Sequence, residues 1–133
     1  MRRTRSLAVK GPAAGPDLGS LRQAANANPL DFDAVFRLAW ALYAKGEHLE
    51  AESAFSRCAS LAPDDPEGMY GKGMALRAQD KRAAAVSAFD EAAVLAERLS
   101  DRTRAQMLHR LAIAHMHHLR DGDWGLEKEV WRR

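Results

Sequence analysis

Three histidines close to the end of the chain, His115, His117 and His118, come nearest to a metal-binding arrangement. His115 and His118 are three residues apart, a separation that lets two imidazoles share one face of a helix. A stable centre needs more ligands than two. His117 falls on the opposite side of such a helix, and no Cys or His elsewhere stands at a complementary spacing, so no metal site is expected. The single cysteine, Cys58, excludes an intrachain disulfide and any cysteine-pair metal site. Its small-residue surroundings suit inert packing between helices better than nucleophilic chemistry. Glycine-rich phosphate loops, nucleophile elbows and paired-carboxylate motifs are missing from the sequence. The chain therefore reads as non-enzymatic and without a cofactor.

The elements that would position any binding residues follow from composition and punctuation. The 133 residues, 47% apolar and 29% charged, fit one modest domain. Charges interrupt every apolar stretch well short of a membrane span. The net charge of +2 is too small to make nucleic acid the expected partner. That charge is unevenly placed, since Arg2, Arg3, Arg5 and Lys10 precede the first acid, Asp17, and leave the remainder of the chain net acidic. Residues 1–16, with two glycines, two prolines and only Leu7, Ala8 and Val9 as an apolar patch, read as a basic flexible arm able to meet an anionic partner. Lys10, Gly11 and Pro12 cut that patch too short for an export signal, and a lone cysteine suits a reducing compartment, so the expected location is cytoplasmic. An organellar transit peptide is the alternative reading of the same arm.

From Asp17 onward alanine is frequent, β-branched residues are few, and glycine and proline fall at element boundaries, which predicts an all-α fold. Asp31 caps a helix running to Tyr43 or Ala44, ended by Gly46, and a second follows over Glu47–Leu61. Pro63 stops it, Asp65 caps the next with Pro66 at its first position, and this third helix runs to about Ala78. Further helices are predicted over Lys81–Arg98 and, after Ser100 and Asp101, over Arg102–Leu119. Gly122 and Gly125 open a short C-terminal segment.

These helices repeat. Leu21, Phe55 and Phe89 are 34 residues apart, as are Ala24, Cys58 and Ala92, and Ala27, Leu61 and Leu95; Ala51 pairs with Ala85 and Leu42 with Leu76 at the same interval. The small residues Ala39, Gly73, Ala51 and Ala85 allow helices to approach closely, and Phe55 and Phe89 fill the space between units. The series Val35, Leu38, Ala39, Leu42, Ala51, Phe55, Pro63 resembles the W-x2-L-G-x2-Y, A-x3-F, P spacing of the tetratricopeptide repeat family, and Met69, Lys72, Gly73, Leu76, Ala85, Phe89 resembles it again. Lys72 replaces an apolar residue, Asp80 takes the turn position of Gly46, and Glu97 stands where proline would end the unit. After an insertion of five residues, Leu108, Leu111, Ala112 and His115 align with Val35, Leu38, Ala39 and Leu42. The resemblance implies an α-solenoid of antiparallel helix pairs: a half-repeat over 17–30, repeats over 31–64 and 65–98, and a divergent repeat with its C-terminal cap over 101–133.

In this family the first helices of successive units line a concave groove that holds a peptide. Carried onto this sequence, that face comprises Phe36, Trp40 and Tyr43, then Tyr70, Met74 and Arg77, then His109, Ile113, Met116 and His117. Aromatic, methionine and arginine side chains are the types enriched at binding hot spots. A subclass that clamps terminal carboxylates uses polar positions that fall here on Phe36, Trp40, Gly71, Gln106 and Arg110, so only the last retains a cation. The resemblance therefore implies a scaffold, adaptor or chaperone-like protein that binds an apolar protein or peptide segment. The alternative is an obligate structural subunit tethered by its basic arm. Trp124, Val130 and Trp131 are too apolar for a free tail and are expected to cap the last repeat, or to form a homodimer contact in place of a monomer.

Overall fold

The computed structural model describes residues 17–121, so the expected basic arm and C-terminal cap lie outside the described residues. Six helices follow one another: α1 (Leu18–Ala27), α2 (Phe32–Ala44), α3 (His48–Leu61), α4 (Pro66–Ala78), α5 (Arg82–Glu97) and α6 (Arg102–Asp121). The described residues contain no strand. Each helix packs on the next across a short connection, and α2 also touches α4, which is the arrangement of an all-α helical repeat.

Local chemistry sets these boundaries. The carboxylates of Asp17, Asp31, Asp65 and Asp101 accept hydrogen bonds from the N–H groups of Ser20, Asp33, Glu67 and Arg104 at 2.7, 3.1, 2.9 and 3.1 Å, capping α1, α2, α4 and α6. The second helices start without side-chain caps, directly after tight turns. Gly46 takes φ 86° in the turn between α2 and α3, and Asp80 takes φ 61° in the equivalent turn between α4 and α5. In both turns the following N–H folds back on the preceding helix, Glu47 to the Leu42 carbonyl at 2.9 Å and Lys81 to the Leu76 carbonyl at 3.0 Å. A left-handed aspartate thus makes the same turn as glycine, at some conformational cost.

The core forms two clusters joined through α4. Val35, Leu38, Ala39, Leu42, Ala51 and Phe55 centre the first; Leu76, Ala85, Phe89, Ala92 and Ala112 centre the second. Phe55 and Phe89 are fully buried at equivalent places in successive units. Each ring is seated on a glycine of α4: a Cβ at Gly71 would clash with the edge of the Phe55 ring, and one at Gly73 would come within 2.8 Å of Phe89.

The five-residue insertion is absorbed by helix rather than loop. Relative to α3, α5 continues two residues further, and relative to α2, α6 starts three residues earlier, with connections of the same length between them. The extra turn at the start of α6 carries Arg104, which reaches back to Asp65 at 3.2 Å and also binds Glu67, tying α6 to the start of α4. At its other end α6 runs four residues beyond the position equivalent to the end of α2, and Arg82 donates to the Leu119 carbonyl there at 3.1 Å.

The outer units depart from the repeat. Leu21 is half-buried and Ala24 and Ala27 are exposed, because among the described residues no helix precedes α1 to cover them. Leu111, at the position of the buried Leu38, is 39% exposed beside Met107 at 55%. No described helix follows α6, so nothing described packs on that side. Lys72 is half-buried at the edge of a depression of about 560 Å³ facing Asp90 and Val94.

Candidate functional site

The face shared by α2, α4 and α6 carries most of the partly covered large side chains. On α2 the aromatic residues fall at intervals of four, four and three, so they stack along one stripe of the helix. Phe32 and Phe36 lie 5.2 Å apart and nearly parallel; Phe36 meets Trp40 edge-on at 6.2 Å, and Trp40 meets Tyr43 edge-on at 5.5 Å. Trp40 is in turn supported from below by the buried Phe55 at 4.9 Å, which fixes the indole while leaving part of it accessible. Phe32 lies outside the face that the repeat resemblance implies; its i, i+4, i+8 relation to Phe36 and Trp40 is the signal that places it on the stripe.

On α4 and α6 the same face becomes polar. His115 stacks on Phe89 with centroids 4.8 Å apart and planes 9° apart. Its Nε2 lies 3.1 Å from the Tyr70 hydroxyl, and Arg77 stands 3.0 Å from its Nδ1. Burial, then the charge of Arg77 and the proximity of His118, push its pKa down to about 4, so the imidazole is neutral at physiological pH. Burial also raises the Tyr70 pKa, with Arg77 opposing that rise and Tyr43 adding to it.

The remaining residues expected on this face divide. Met74 and Ile113 are half-buried against the second core cluster. His109 is half-buried and pairs with Glu97 at 3.0 Å, at the edge of the face. His117 is half-buried, and Arg110 is exposed. Met116 is a correction. It is 7% exposed and packs with Leu76, Ala85 and Leu119, because the longer α6 lays its last turns on the α4–α5 pair.

The site offers contact area and hydrogen-bond donors rather than reactive groups. Cys58 is fully buried, and burial pushes its thiol up to about 11, which removes the thiolate needed for nucleophilic work. Among the described residues no group of three or more His, Cys, Asp or Glu side chains is placed to hold a metal ion, and no described helix is long and apolar enough to cross a membrane.

Residues 32–65, which form the α2–α3 pair, match the family model described as Tetratricopeptide repeat. No curated protein matches the chain. Repeats of this family generally mediate protein–protein interactions. With a matched unit at α2–α3, and the same turn and seated phenylalanine repeated 34 residues later at α4–α5, the chain contains a tetratricopeptide repeat at residues 32–65 within an all-α helical repeat fold.

Proposed function

We propose that this protein is a non-enzymatic adaptor or chaperone-like scaffold that captures an apolar peptide segment on the face formed by α2, α4 and α6. The observation that carries this reading is the continuous aromatic stripe Phe32, Phe36, Trp40 and Tyr43, backed by buried Phe55 and left partly accessible. Such rigid, amphipathic side chains bury large area for little loss of side-chain freedom, which makes them effective anchors. A depression between α3 and α5 fits this role less well: it is bordered by Lys72, Asp90, Glu91 and Arg98, charges that a bound apolar segment would have to desolvate. The test is selection from a random peptide library by the wild-type protein and by Trp40→Ala. The reading expects apolar sequences to be enriched by the wild type and lost with the variant; enrichment unaffected by the substitution would refute it.

The second reading, an obligate subunit of a larger complex held by the basic arm, draws on the exposed Met107 and Leu111 of α6. A protein that purifies as a folded monomer or dimer favours the adaptor; one that aggregates unless co-expressed with a partner favours the subunit. The buried lone cysteine fits a reducing, cytoplasmic setting in either case.

A further inference from the structure

The hydrogen bonds around His115 fix the direction of a donor at the centre of the face. Arginine has donors and no acceptor, so the 3.0 Å contact with Arg77 makes Nδ1 of His115 the acceptor. A neutral imidazole then carries its proton on Nε2 and donates it to the Tyr70 oxygen at 3.1 Å. Because that oxygen accepts from the imidazole, the Tyr70 hydroxyl proton is directed to a different partner. The imidazole cannot readily turn to change this, since it lies flat on Phe89 and is 7% exposed.

Arg77 brings a positive charge to this array. The charge of Arg77 disfavours a cationic His115 and favours a negative Tyr70 oxygen, so its field covers both ends of the array. Asp65 and Glu67, the acids at the start of the same helix, are engaged by Arg104. We infer that the Tyr70 hydroxyl, oriented by His115 and standing in the field of Arg77, is the subsite that receives an acidic side chain, Asp or Glu, of the bound segment. This rests on the peptide-binding reading above and adds a polar specificity to its apolar anchor. A side-chain carboxylate, rather than a chain terminus, fits the position: α4 is the middle of the three helices, with Trp40 on one side and Ile113 on the other, so a segment that fills the face continues past Tyr70 in both directions. His115 acts through Tyr70 and is a positioning residue.

The test uses arrays of end-blocked peptides with varied apolar flanks and a central Asp or Glu, matched to peptides with Asn or Gln at the same place, and a third arm with a free terminal carboxylate. A charge-assisted hydrogen bond predicts that the wild type prefers the central acid over its amide by about tenfold. Tyr70→Phe brings that ratio close to one while apolar, Trp40-dependent binding persists. His115→Leu lowers the ratio as well, and His115→Gln, which keeps an amide N–H for the Tyr70 oxygen, restores part of it; a merely structural role for His115 would change affinity without changing the ratio. The inference is overturned if Tyr70→Phe retains the acidic preference, if the wild type shows none, or if only the terminal carboxylate is preferred, and in each of those cases Trp40-dependent binding still upholds the broader reading. Binding that ignores Trp40→Ala, or no binding to any array, overturns both.

Discussion

The Phe55 ring of α3 occupies the space that a Cβ at Gly71 of α4 would need. Helix propensity alone favours alanine over glycine there by about 1 kcal/mol. Phe55 is fully buried and has no room to withdraw, and overpacking of this kind costs about 1–3 kcal/mol. Gly71→Ala is therefore expected to destabilise the protein in urea unfolding despite the better helix former, and a stabilised variant would show that the two helices are not in this register.

Phe89→Ala leaves a cavity at the equivalent seat and removes the surface on which His115 lies. A loss of about 3–5 kcal/mol is expected in the same unfolding experiment; a loss below about 1 kcal/mol would mean that Phe89 is not the core residue of the second unit.

Acid should weaken the fold through His115. In the folded state its pKa is about 4, below the ordinary 6.5, so between those values the unfolded chain takes up a proton that the folded chain excludes. The contribution is complete above about pH 6.5 and is lost as pH falls to about 4. The full shift corresponds to roughly 3 kcal/mol, and with Tyr70 and Arg77 standing at a partly solvated face we expect about 2 kcal/mol. His115→Leu, which restores the residue type of Leu42 and Leu76, should flatten stability across this window. An unchanged slope in the variant would assign the acid sensitivity to other groups.

Much of this was legible in the sequence, and the reasons are particular. The interval of 34 placed Phe55, Phe89, Ala51 and Ala85 correctly because each packs against residues of its own and the neighbouring unit, so the spacing is a packing constraint. Phe36, Trp40 and Tyr43 came from the family resemblance and not from the interval, and Phe32, four residues before Phe36, lay outside the face it implied. Leu111 and Leu21 broke the pattern because the repeat assumes a neighbour on both sides, which neither has among the described residues. Met116 left the face because α6 continues past the position equivalent to the end of α2 and packs with Leu76, Ala85 and Leu119, a length that the repeat alignment does not give. The partnership of His115 with Tyr70 and Arg77 joins residues 45 and 38 positions apart, a separation at which no local periodicity operates.

Arg104 offers a contrast between geometry and energy. It joins α6 to Asp65 and Glu67 at the start of α4, yet the three side chains remain about one-third exposed. Arg104→Ala should cost only about 0.5–1 kcal/mol, and less as salt is raised, when measured by thermal unfolding at two ionic strengths. A larger, salt-independent loss would show that the extra turn of α6 depends on this contact.

The central claim is that the aromatic face, and not the basic arm, captures the partner. It is tested most directly by titrating the best peptide from the library selection against wild type, Trp40→Ala and an Arg2, Arg3, Arg5 triple-alanine variant at low and moderate salt. The account predicts that Trp40→Ala loses about 2 kcal/mol or more of binding free energy, that the arm variant binds like wild type, and that salt has little effect. Loss of binding in the arm variant with retention in Trp40→Ala, together with steep weakening by salt, would contradict it.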